Sequence, residues 1–169
     1  MGEAGVFEED DRVELLEGQI VEMTPIGSEH AGRVNRLNSL LHSKIGDEAL
    51  ISVRNPLQLG DFSEPEPDLA VLEPRPDSYT SRHPAAQDAL LVIEVAETSA
   101  EDDRSPKVPL YADHSVPVVW LVDLSERTVE VYSNPADGEY GDVELASNDD
   151  ILRPETIPSL DLTPAQIFR

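Results

Sequence analysis

Three residues stand out for what their types could do together: Asp68, Glu94 and Lys107. Asp68 sits at the mouth of the apolar run LAVL, and Glu94 interrupts ALLVIEV, a segment apolar at nearly every other position. A carboxylate on a buried strand is costly unless something compensates it. Two of them on neighbouring strands come within reach of one divalent cation. Magnesium suits such a pair, because it is held by one or two carboxylates, keeps several waters and needs neither histidine nor cysteine. Lys107 follows the Glu94 strand, and an ammonium beside a metal-bound water can orient the nucleophile or stabilise charge on a phosphorane-like transition state. Each residue also has a plainer reading. Either carboxylate can face solvent at a strand end, and Lys107 can pair with Asp103 at i,i+4 on an exposed helix, worth about 0.2–0.5 kcal/mol.

The surrounding pattern specifies the elements that must position these groups. From Arg12 the stretch RVELLEGQIVEM alternates around Glu17-Gly18, which predicts a hairpin whose turn uses glycine's positive φ, and Thr24-Pro25 ends it. Ser28 is placed to cap a helix running to about Lys44, with Ala31, Val34, Leu37, Leu41 and Ile45 at spacings of three and four and Gly46 as its stop. LISVRNPLQL reads as a strand, Gly60-Asp61 as a turn, and EPEPDLAVLEP as a short strand entered through prolines. A polar loop from about Pro74 to Gln87 leads into ALLVIEV, a central strand covered on both faces. EDDRSPKVPLYADH reads as a short helix with Ser105 as cap and Pro106 at its first position. PVVWLVDL and TVEVYS form a hairpin, and the remainder is a proline-punctuated tail anchored by apolar residues. The class is therefore α/β, a mixed central β-sheet flanked by helices with an N-terminal β-hairpin. Residues 1–10 read as an acidic tail and 11–169 as one domain of ordinary size.

Composition narrows the function classes. The absence of cysteine excludes a disulfide framework and thiolate metal ligands. No run of about 18 apolar residues appears, so the expectation is a soluble cytoplasmic protein with no membrane partner. The chain carries 35 acidic against 12 basic residues, a net charge of -23, and only Lys44 and Lys107 of the twelve are lysine. Such a field ordinarily repels nucleic acid. Scarce lysine with persisting arginine points instead to adaptation to molar salt, where the Debye length falls to about 3 Å and self-repulsion is screened. Charge then ceases to exclude DNA. The long helix holds the least acidic stretch available for phosphate contacts, with Arg33 and Arg36 the candidates and His30, His42 and Lys44 beside them. A solvated helix face explains the same residues equally well.

Taken together, Pro67-Asp68, LLVIEVAETS with Glu94, and Lys107 before LYADHSVPVVWLVDL resemble the PD-(D/E)XK nuclease superfamily. Within it the chain is similar to the bacterial Uma2 family of restriction-endonuclease-like proteins from about Arg12 to Phe168, including VELLEGQIVEMTPIGSEH and IPSLDLTPAQIF. One departure is evident: the superfamily's usual lysine lies two residues after the glutamate, where this chain has Ala96. Lys107 is the position that matches in this family. The resemblance implies a restriction-endonuclease-like core and an endonuclease hydrolysing DNA with Mg²⁺ or Mn²⁺. It makes Asp68, Glu94 and Lys107 catalytic, with Asp68, Glu94 and the carbonyl of Val95 as metal ligands. Glu14 and His30 become supporting residues, and a homodimer is possible. Two other classes remain open on the same fold: a non-catalytic acidic interaction protein, and a DNA mimic.

Overall fold

The computed structural model describes residues 11–97 and 107–169. The acidic stretch 1–10, Asp103 and the helix start at Ser105-Pro106 lie outside the described residues. The chain opens with a hairpin of β1 (Val13–Leu16) and β2 (Gln19–Glu22), in which Leu16 pairs with Gln19 across Glu17 and Gly18. Both turn residues have positive φ, 50° and 78°, as a two-residue hairpin loop demands. Helix α1 (Ser28–Ile45) follows, then β3 (Leu50–Val53), β4 (Leu69–Leu72) and β5 (Ala89–Ala96). After α2 (Lys107–Asp113) come β6 (Val118–Asp123), β7 (Thr128–Ala136), β8 (Glu139–Ser147) and the terminal helix α3 (Pro164–Phe168).

Strands β3 to β8 form one six-stranded sheet in sequence order. Every neighbouring pair is antiparallel except β5 and β6, which run parallel. A parallel pair needs a crossover, and the segment carrying α2 supplies it. Side chains on β5 alternate between two cores. Leu91, Ile93 and Val95 pack with Val34, Leu37, Leu41 and Ile45 of α1, whereas Val92 and Ala96 pack with Val108, Leu110 and Tyr111 of α2. Glu94 shares the second parity, so period-two geometry turns it toward α2.

Two local readings are corrected, and the apolar anchoring of the tail is borne out. The N-cap of α1 is Gly27 rather than Ser28, which is already helical. A Cβ at Gly27 would stand 2.5 Å from Glu97 Oε1, the far end of an exposed, flexible side chain that can swing aside. β7 runs past Ser133 to Ala136, and β8, which the sequence pattern did not reveal, returns alongside it after Asp137 and Gly138 at φ 51° and 79°. The tail is ordered into the main core through Leu152, Ile157, Leu160, Leu162, Ile167 and Phe168. Among the described residues no helix is long and apolar enough to cross a membrane.

Candidate active site

Asp68 immediately precedes β4, whose first residue Leu69 pairs with Ile93 of β5. Beyond that pair the Asp68 side chain reaches over to β5. Its Oδ2 accepts the Val95 N–H at 2.9 Å. Its Oδ1 lies 2.9 Å from Nε2 of His30, in the first turn of α1. Asp68 thereby ties the helix layer to the strand that carries Glu94. On the other face, α2 directs two side chains one turn apart at a single Glu94 oxygen: Tyr111 donates its hydroxyl at 2.7 Å and Lys107 its ammonium at 3.3 Å. Lys107 is closer still to Glu14 Oε1 of β1, at 2.7 Å. That same oxygen accepts the Glu66 N–H at 2.8 Å.

Glu14, His30, Asp68, Glu94, Val95 and Lys107 line one cleft of about 380 Å³, together with Glu22, Arg54, Glu66 and Glu97, while Tyr111 is buried behind it. Glu14, His30, Asp68 and Glu94 are each buried. Burial raises the Glu94 carboxyl to about 7, with Lys107 opposing the rise and Asp68 adding to it. For Lys107, burial works to remove the proton, but the charges of Glu94 and Glu14 outweigh it and hold the ammonium above its ordinary value. His30 is likewise raised: burial opposes its charge, and the hydrogen bond and charge of Asp68 prevail. Burial and the charge of Glu14 raise Glu66.

The cleft thus brings together Asp68, Glu94, Val95, Lys107, Glu14 and His30, and leaves out Arg33 and Arg36. Both arginines turn to the C-terminus. Arg33 Nη1 donates to the carbonyls of Ile167 and Arg169 at 3.2 and 2.9 Å, and Arg36 Nε donates to that of Gln166 at 2.5 Å. They satisfy carbonyls that the last turn of α3 leaves without intrahelical donors. Ala96 is fully buried in the core beside α2, and the Lys107 ammonium enters from that helix to within 3.3 Å of Glu94. Sequence reasoning missed Tyr111, Arg54 and Glu66. The i,i+4 spacing of Tyr111 from Lys107 was the available signal for the first; Arg54 and Glu66 reach the cleft from irregular backbone, with no periodic signal.

The donor set fits a hard divalent cation. It consists of two carboxylates and a strand backbone; among the described residues no group of three or more His, Asp or Glu side chains is placed to hold a metal ion. Two carboxylates with water completing the shell is the magnesium pattern, and soft or tetrahedral metals find no thiolate here. A carboxylate has about four acceptor sites, so the hydrogen bonds to Asp68 leave lone pairs for a cation.

A six-stranded mixed sheet flanked by helices, an N-terminal hairpin and an acidic cleft with an inserted lysine place the molecule among nuclease-like folds. A crystal structure from Anabaena variabilis ATCC 29413, described as "a putative nuclease belonging to DUF820", superposes with a TM-score of 0.74 over 98% of this chain and 94% of its own, at 19% identity. The likeness at that identity is one of fold. The Uma2 model, described as "Putative restriction endonuclease", matches residues 3–165, and the chain belongs to this family. No curated protein matches it.

Proposed function

We propose that the protein is a metal-dependent endonuclease that hydrolyses DNA phosphodiester bonds in the cleft between β4, β5 and α2. The observation that carries this reading is the meeting of Asp68, Val95 and Glu94 with the Lys107 ammonium in that cleft. Asp68, Glu94 and the Val95 carbonyl would hold Mg²⁺ or Mn²⁺. When bound, the ion supplies Lewis acidity and a water of lowered pKa at neutral pH.

The chain's own residues do the rest. Lys107 keeps a full positive charge beside Glu94, where it stabilises negative charge developing on the phosphate and orients the attacking oxygen. Glu14 anchors that ammonium from the opposite side. His30 fixes the Asp68 carboxylate, and Tyr111 fixes that of Glu94. With Glu14, Glu22, Glu66, Asp68, Glu94 and Glu97 all lining the cleft, a phosphate is repelled until cations offset the carboxylates. A requirement for divalent metal follows from that electrostatics.

The test is plasmid cleavage with Mg²⁺ or Mn²⁺ across a salt series, beside Lys107→Ala. Nicked or linear product from the wild type alone supports the reading. No cleavage by the wild type under any metal and salt condition overturns it in favour of a non-catalytic interaction protein on the same fold.

A further inference from the structure

Among the described residues, the cleft contains one cation that the preceding mechanism does not use. Arg54 follows β3 and lines the cleft beside Asp68 and Glu66. Its backbone is held at φ 51°, in the left-handed region that non-glycine residues seldom adopt, and its N–H donates to the Asp68 carbonyl at 3.2 Å. The guanidinium Nε is 4.0 Å from Asp68 Oδ1, beyond hydrogen-bond reach. That Nε is buried and has no hydrogen-bond partner among the described residues. Lys107 and His30, by contrast, both meet carboxylates within hydrogen-bond distance.

A left-handed backbone and a buried donor without a hydrogen-bond partner meet at one residue, and the partly exposed side chain of that residue lines the cleft. If Arg54 served only as counter-charge to Asp68, the pair would close to the 2.7–2.9 Å usual of charge-assisted bonds. Arginine's planar fork of donors matches the oxygens of a phosphate, and such a fork is best kept open until the anion arrives. We infer that Arg54 binds a backbone phosphate of the nucleic acid adjacent to the group held at Asp68 and Glu94, and so sets the position of the strand in the cleft. This assignment rests on the nuclease reading above.

The experiment measures binding of a short DNA duplex by fluorescence anisotropy, with Ca²⁺ replacing Mg²⁺ to suppress cleavage, over a salt series. Wild type, Arg54→Gln and Arg54→Lys are compared as full chains, with Mn²⁺ affinity and melting temperature recorded in parallel. The expected result for Arg54→Gln is affinity lowered about tenfold and a slope of log K against log salt smaller by about 0.9, one phosphate contact fewer. Arg54→Lys should recover the slope but not the full affinity, and Mn²⁺ affinity should be unchanged in both. Unaltered duplex affinity and slope in Arg54→Gln overturns the assignment. So does a collapse of Mn²⁺ affinity with an unaltered slope, which would make Arg54 a positioning partner of Asp68. If Arg54→Gln does not fold, Arg54→Lys decides: lowered affinity at an unchanged slope supports the assignment, and wild-type affinity overturns it. A wild type that binds no duplex at any salt instead removes the nuclease reading itself.

Discussion

Lys107 forms its shorter ion pair with Glu14 of the hairpin, at 2.7 Å, and its longer one, at 3.3 Å, with Glu94 of the central sheet. The lysine is therefore the bridge between two separate sheets, and removing it strands two buried carboxylates.

Lys107→Ala should accordingly lose cleavage and also lose about 3–5 kcal/mol of stability, the usual penalty for breaking a buried pair by deleting one partner. Lys107→Arg separates the two effects. It keeps the charge, so the melting temperature should stay near wild type, while the larger planar group fails to take the place of a compact ammonium and cleavage is lost. Thermal unfolding and plasmid nicking, run together, check both. An active arginine variant would reduce Lys107 to bulk charge.

Tyr111→Phe removes one hydrogen bond to Glu94 and little else, since the ring remains in the core. The expected loss is about 1–3 kcal/mol, because a hydrogen bond to a buried charged group is given up. The same hydroxyl favours the ionised carboxylate, so the variant should also bind Mn²⁺ more weakly at neutral pH. Isothermal titration of Mn²⁺ into both proteins decides; equal affinities would mean that Tyr111 serves packing alone.

Glu94 gives stability a pH dependence with a definite sign. Burial raises its pKa, so between the unfolded value of about 4.3 and the native value of about 7 the folded protein holds a proton that the unfolded chain has released. The associated stabilisation is complete below the lower value and is lost as pH rises through the upper one. Wild type should lose stability relative to Glu94→Gln from about pH 5 to about pH 8. Millimolar Mg²⁺ should restore it only at the alkaline end, where the carboxylate is free of its proton. Melting curves of both proteins with and without Mg²⁺ measure this directly, and parallel pH profiles would contradict it.

Salt acts on the whole surface. With 35 acidic side chains against 12 basic ones, self-repulsion is unscreened at millimolar ionic strength. The melting temperature should rise from about 10 mM to about 1 M KCl as the Debye length contracts from about 30 Å to about 3 Å. An unchanged melting temperature would sink the high-salt reading and make the net charge an argument against a nucleic-acid partner.

What the sequence revealed divides along burial. The helix with Val34, Leu37, Leu41 and Ile45, and the strands ALLVIEV and PVVWLVDL, were legible because one-sided or complete burial writes itself into apolar spacing. Asp68 and Glu94 were legible for the same reason, as charges breaking an apolar run. β8 was not: six of its nine residues are exposed, and only the Asp137-Gly138 turn signalled a hairpin. The Glu14–Lys107 and His30–Asp68 pairs join elements distant in sequence. Such contacts arise from tertiary docking, to which local periodicity is blind. Arg33 and Arg36 were legible as charge, but not their hydrogen bonds to the Ile167 and Gln166 carbonyls of α3.

The hairpin of β1 and β2 is a two-stranded sheet of its own, tied to its surroundings through Leu16 in the core, Lys107 and the Glu66 N–H at Glu14, the Glu17 N–H to Ser63 Oγ, and the backbone bonds Glu64 N–H to Leu15 and Gly18 N–H to Phe62. An isolated two-stranded ribbon is marginal in water. One wall of the cleft is thus expected to open before the six-stranded sheet does. Amide hydrogens of β1 should exchange with deuterium well ahead of those of β5. Exchange through that local opening would expose Glu14, Asp68 and Glu94 to solvent ions while the rest of the fold stays closed.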